Sequence, residues 1–238
     1  MDLRPAALFL AAAGLAALPG RAAAQVEASG EAALVSDYRY RGVSLSGDRP
    51  ALQASIEAES SGLYVGAFGS WAQGGQKSAR LELDGMLGYR RALGQRLAID
   101  AGLAWYHYPG APDCDYGEAT LALSRERGGT ALRAGISYAP PQPALLDASG
   151  RRRGNAYGFA GLDQAVAGTP LSIGLRAGYE SGPFDGSARG GKLDWSASVT
   201  VTRGRFRLSG SYVGASRADA ASGRRSERAL LLTLGLGL

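Results

Sequence analysis

Over most of this chain apolar side chains recur at every second position, and few folds satisfy that pattern. In Leu52-Gln53-Ala54-Ser55-Ile56-Glu57-Ala58-Glu59 the apolar residues take one parity and the polar ones the other. Successive strand side chains point to opposite faces, so this segment predicts a strand with one apolar and one polar side. Leu81, Leu83, Leu87 and Tyr89 stand in the same way against Arg80, Glu82, Asp84 and Arg90. Leu193, Trp195, Ala197, Val199 and Val201 oppose Asp194, Ser196, Ser198, Thr200 and Thr202. About twelve such segments lie near 31–42, 50–60, 62–72, 79–91, 95–108, 115–126, 129–139, 154–166, 170–181, 191–203, 205–214 and 227–238. Two are less clear. Leu63 to Trp71 carries no charge on either face. In 154–166, Tyr157 and Phe159 share the parity of Asp163, which leaves room for a bulge or a shifted register.

The connections alternate as regularly as the side chains. Short ones (Ser60-Ser61-Gly62, 92–95, 127–129, 167–169 and Arg203-Gly204) interleave with long ones at 43–49, 72–78, 109–114, 140–153, 182–190 and 215–226. That rhythm predicts an all-β, antiparallel up-and-down transmembrane barrel of about twelve strands, with tight periplasmic turns and longer extracellular loops. A soluble barrel would show the same alternation with the faces reversed. Three features favour the membrane form. Tyr38, Tyr40, Trp71, Tyr89, Trp105, Tyr138, Tyr179 and Tyr212 cluster near strand ends, where interfacial girdles sit. The polar faces combine small residues with charges of both signs, which suits a hydrated lumen. The last predicted strand runs to Leu238, as in barrels inserted through a C-terminal strand, although an aromatic residue is the usual ending.

Residues 1–24 read as a secretory signal peptide: Arg4, an apolar run from Ala6 to Leu18, then Ala22-Ala23-Ala24 before Gln25. The run is short of the roughly 20 residues a spanning helix needs. Residues 25–238 then form one barrel domain, and no later stretch is apolar enough to cross a membrane as a helix. Cys114 is the only cysteine, so no internal disulfide is expected and the residue reads as a tolerated loop position.

One stretch carries a family resemblance. Ser36-Asp37-Tyr38-Arg39-Tyr40-Arg41-Gly42-Val43-Ser44 leads into Pro50-Ala51-Leu52-Gln53. Ser61-Gly62-Leu63-Tyr64-Val65-Gly66, Trp71, Leu81-Glu82-Leu83-Asp84-Gly85 and Gly88-Tyr89 follow. This resembles the TorF-type family of proteobacterial outer-membrane barrels assigned as porins. The match is specific over roughly the first quarter of the chain and rests on strand–turn rhythm beyond it. It implies an outer-membrane location and the barrel fold more firmly than any transport activity.

With the polar parities inward, the expected lumen lining is Arg39, Arg41, Glu57, Arg80, Glu82, Asp84, Arg90, Asp100, Glu118, Arg133, Arg176, Glu180, Asp194 and Arg207, with Asp37 beside them. Charges inside a membrane protein are costly unless paired or hydrated. They therefore read either as an ion-pair network bracing the barrel or as a lining that selects small polar solutes. Eight strands give a filled interior and sixteen to eighteen an open channel, so twelve predict a narrow pore that side chains or an inward loop can block.

The long loops are basic, at Arg151-Arg152-Arg153 and at Arg217, Arg224, Arg225 and Arg228. They read as solvated loop faces or as contacts for lipopolysaccharide phosphates. Nucleic acid is not an expected partner, because the clusters lack interleaved aromatics. Expected partners are outer-membrane lipid and lipopolysaccharide, small polar solutes and the barrel-assembly machinery. No cofactor or metal motif stands out. The single histidine, His107, is the one candidate base for a lipid hydrolase, but its place beside Trp105, Tyr106 and Tyr108 reads as a girdle position. The expected function is passive passage of small hydrophilic solutes through a porin-like channel. The alternatives are a closed structural or surface-binding barrel and an enzyme built on His107.

Overall fold

A computed structural model describes residues 26–72, 80–185, 190–216 and 228–238. The segment expected as a signal peptide, 1–24, lies outside the described residues, as do Arg217, Arg224 and Arg225. Twelve strands form the wall: β1 (Glu27–Val35), β2 (Ala51–Ser60), β3 (Leu63–Trp71), β4 (Leu81–Ala92), β5 (Leu97–His107), β6 (Tyr116–Arg127), β7 (Thr130–Ala139), β8 (Asn155–Ala165), β9 (Leu171–Ser181), β10 (Lys192–Arg203), β11 (Phe206–Ala215) and β12 (Ala229–Gly237). Each pairs antiparallel with the next, and β12 closes on β1 from Glu31↔Gly237 to Val35↔Thr233. Closure leaves no sheet edge unpaired.

Burial runs opposite to that of a soluble barrel. Outward side chains are apolar and bare: Ile56 is 63% exposed, Ile136 64% and Leu230 82%. Inward ones are charged and covered: Glu82 is 0% exposed and Glu180 1%. Leaving an aliphatic side chain in water forfeits roughly 1.5–3 kcal/mol relative to burying it. A surface of this kind, repeated on all twelve strands, is stable only in an apolar medium, so the barrel is of the transmembrane type.

Both unclear segments resolve. In β3, Tyr64, Phe68 and Ser70 face inward and are buried, while Leu63, Val65 and Trp71 face out. Its lumen face is aromatic and hydroxylic instead of charged. In β8 the register is continuous against both neighbours, with no bulge, so Tyr157, Phe159 and Asp163 all face the lumen. The Tyr157 and Phe159 rings stack at 5.9 Å.

The first expected strand needs correction. The wall strand is Glu27–Val35, and 36–50 leaves the wall instead of continuing it to residue 42. Arg39–Tyr40 pairs with Val43–Ser44 in a separate two-stranded hairpin. The alternation of Asp37, Arg39 and Arg41 with Tyr38 and Tyr40 imitates a strand. The backbone turns nonetheless, through left-handed conformations at Arg41 (φ 48), Gly42 (φ 79), Gly47 (φ 72) and Asp48 (φ 58). Two expected girdle residues move with it. Tyr38 is fully buried and Tyr40 half-buried, whereas Trp71, Tyr89, Trp105, Tyr138, Tyr179 and Tyr212 are exposed on the outer face.

Candidate functional site

The segment 36–50 is folded into one end of the barrel, and its own polar residues shape it. The Asp37 carboxylate accepts from the Ser44 hydroxyl (2.6 Å) and from Arg39 Nε (2.6 Å), and the Ser46 hydroxyl lies 2.9 Å away. Arg39 Nη2 reaches on to Asp48 (2.8 Å). Such charge-assisted bonds are the strong ones and fix a compact turn. Tyr38 anchors the turn to the wall by packing with Ala33, Val35, Ala51 and Phe68. At the tip, a Cβ on Gly42 would meet that of Ala215 at 2.7 Å, so only glycine lets the turn press on β11.

This fold places Arg41 in the middle of the lumen. Its Nη2 donates to both Glu118 oxygens, at 2.6 and 2.7 Å, and its Nη1 to Glu180 Oε1 at 2.7 Å. Glu118 stands on β6 and Glu180 on β9, so one guanidinium ties two wall strands that are not neighbours. The rings of Tyr157 and Tyr40 lie 4.0 and 4.7 Å from it. Burial works against the Arg41 charge, but Tyr40, Glu118 and Glu180 outweigh it and raise the pKa, so the side chain stays cationic. Glu180 also forms an ion pair with Lys192, whose Nζ lies 2.6 Å from Oε2, and accepts from Asn155 Nδ2 (3.0 Å).

Toward the end with short turns, the arginines of the ion pairs are more exposed. Arg90 bonds Glu59 and lies 3.7 Å from Glu57 and 3.8 Å from Asp100. Asp100 also accepts from Arg133 (3.0 Å) and the Tyr64 hydroxyl (2.9 Å). Arg176 pairs with Asp163 at 3.2 Å, and Arg207 with Glu31. Besides these charges, β10 to β12 add the neutral hydroxyls of Thr200, Ser209, Ser211 and Thr233 to the lining.

Two cavities meet at the Tyr40–Arg41 turn, which lines both. One, of about 90 Å³, lies toward the long loops among Tyr108, Tyr116, Phe184 and Lys192. The other, of about 190 Å³, lies deeper, among Tyr64, Asp100, Arg133, Tyr157 and Arg176. The turn is thus a partition across the lumen.

Of the expected lining, Glu57, Glu82, Asp84, Arg90, Asp100, Glu118, Arg133, Arg176, Glu180, Asp194 and Arg207 face the lumen from wall strands. Arg39 and Arg41 reach it from the inward turn. Arg80 precedes β4 and is exposed at the rim. Glu31, Glu59, Asp163, Lys192 and Asn155 join the lining beyond that expected set, and each has the parity of a polar neighbour on its strand. Tyr64 and Tyr157 were hidden by their apolar rings. His107 faces outward with Nδ1 2.7 Å from Asp115, and its strand partner is Leu83. Trp105 precedes it on the same face, so no hydroxyl or thiol stands beside it on that face of β4 or β5. Among the described residues no group of His, Cys, Asp and Glu is placed to hold a metal ion.

The closed antiparallel barrel is similar in fold to solved porins. Solved structures bear out the fold. The chain superposes on the KdgM porin with a TM-score of 0.59 at 9% identity, covering 88% of this chain and 97% of that one. For the NanC porin the TM-score is 0.58 at 10% identity, over 88% and 98%. The chain belongs to the family described as "Bacterial protein of unknown function (Gcw_chp)", whose profile matches residues 20–231. No curated protein matches it in sequence.

Proposed function

We propose that this protein is an outer-membrane, porin-like channel for passive passage of small hydrophilic solutes, with its aperture set by the inward turn 36–50. The observation that carries the reading is the lumen itself: a cavity of about 190 Å³ lined by paired charges lies beneath the inward turn. A barrel serving only as a scaffold gains nothing from a hydrated interior, because buried ion pairs are often no more stabilising than apolar packing. The TorF-type resemblance of residues 36–90 supports the outer-membrane location on which this reading rests. On this reading residues 1–24 direct export and the barrel-assembly machinery inserts the chain. The long loops face outward, with Arg151, Arg152 and Arg153 exposed to lipopolysaccharide.

One observation favours a second reading, a closed barrel. Arg41, Glu118 and Glu180 are almost fully covered, so the partition is tight. Planar-bilayer recording of refolded protein separates the two. Discrete conductance steps are expected; a silent bilayer containing inserted, heat-modifiable protein overturns the channel and leaves the closed barrel.

A further inference from the structure

We infer that the Glu118 and Glu180 carboxylates form a recognition site for solutes bearing a guanidinium or primary ammonium group, and that Arg41 occupies this site as a built-in competitor. The inference deepens the channel reading, on which it relies for the solute's route to the site.

The barrel wall supplies everything at this site except the cation. Glu118 and Glu180 project from β6 and β9, so their spacing is set by the intervening strands and not by the turn. Their side chains are only 3% and 1% exposed. Tyr157 adds a ring face at 4.0 Å from the guanidinium. That ring is held by its hydroxyl, which donates to Asp194 (3.1 Å), and it lies so close over Gly178 that a Cβ there would collide with it. A ring face favours weakly hydrated organic cations over small inorganic ones.

Withdrawing Arg41 affects the two acids unequally. Glu180 keeps Lys192 and Asn155. Among the described residues Glu118 is partnered by Arg41 alone. Without Arg41, Glu118 becomes a buried, unpaired carboxylate facing the deeper cavity, which it lines. Such a group is relieved either by a proton or by a replacement cation. An anionic solute meets repulsion at the same point. Glu180 lines the cavity toward the long loops and Glu118 the deeper one, so each acid faces one of the two cavities.

The test uses full-length barrel refolded in detergent and titrated calorimetrically with arginine methyl ester, with citrulline methyl ester as the neutral isostere. A tethered arginine competes at an effective concentration of order millimolar or more. Binding to the wild type is therefore expected to be weak, and Arg41→Ala is expected to bind the ester at least tenfold more tightly. Adding Glu118→Gln to Arg41→Ala is expected to abolish that gain, and the neutral isostere is expected not to bind. If Arg41→Ala does not refold, Arg41→Lys replaces it, with an intermediate gain expected. Equal binding of ester and isostere, or a gain indifferent to Glu118→Gln, overturns the site. Vesicle flux of the ester is read separately: binding without flux upholds the site and counts against the channel.

Discussion

Arg41 and Arg176 are both arginines paired with acids inside one barrel, yet Arg41 is 5% exposed and Arg176 33%. Arg41 bridges two strands from a turn that crosses the lumen, while Arg176 pairs with Asp163 on the adjacent strand β8. The difference separates two uses of charge. A fully desolvated cation between two carboxylates holds a structure in place, because removing either partner strands a buried charge. A half-hydrated pair contributes little to stability and leaves its charges available to passing ions.

Replacing Arg41 with Ala breaks this contrast most severely. Glu118 loses its partner, and the expected cost is about 3–5 kcal/mol. The unfolding midpoint in urea should fall accordingly, and the conductance should rise several-fold as the partition loosens. Glu118→Gln comes next. Arg41 keeps Glu180, so the loss should be near that of one charge-assisted hydrogen bond, about 1.5–3 kcal/mol. Arg176→Ala should cost under about 1 kcal/mol after solvent screening, yet shift the reversal potential in a salt gradient toward cations. The smallest effect falls outside the lumen. The Ser149 hydroxyl and the Arg151 amide hold the Asp147 carboxyl down to about 2. A depressed value means that this turn's stabilisation is present above the ordinary carboxylate range and is lost as pH falls through about 2. Amide exchange at Ser149 and Arg151 should stay protected down to that pH, and Asp147→Ala should remove the protection.

The wall was legible because its signal is local. Period-two alternation, with the interleaved loop lengths, places eleven of the twelve strands within a few residues of their structural limits. It also orients the acids and arginines that lie on those strands. The turn 36–50 was not legible. Its alternation matches a strand's, and what bends it inward is a set of contacts across the chain: Tyr38 on Phe68, Gly42 on Ala215, and Arg41 on Glu118 and Glu180. Periodicity carries no information on partners 77 and 139 residues away. The family-like stretch Ser36–Ser44 marked the region as special without showing why. The structure supplies the reason, since Asp37, Tyr38, Arg41, Gly42 and Ser44 each hold the partition.

The central claim is that this turn sets the aperture of a channel. Single-channel recording of the wild type beside Arg41→Ala, at equal salt and voltage, tests it most directly. The account predicts small discrete steps for the wild type and steps several-fold larger for the variant. Equal conductance in the two would contradict it.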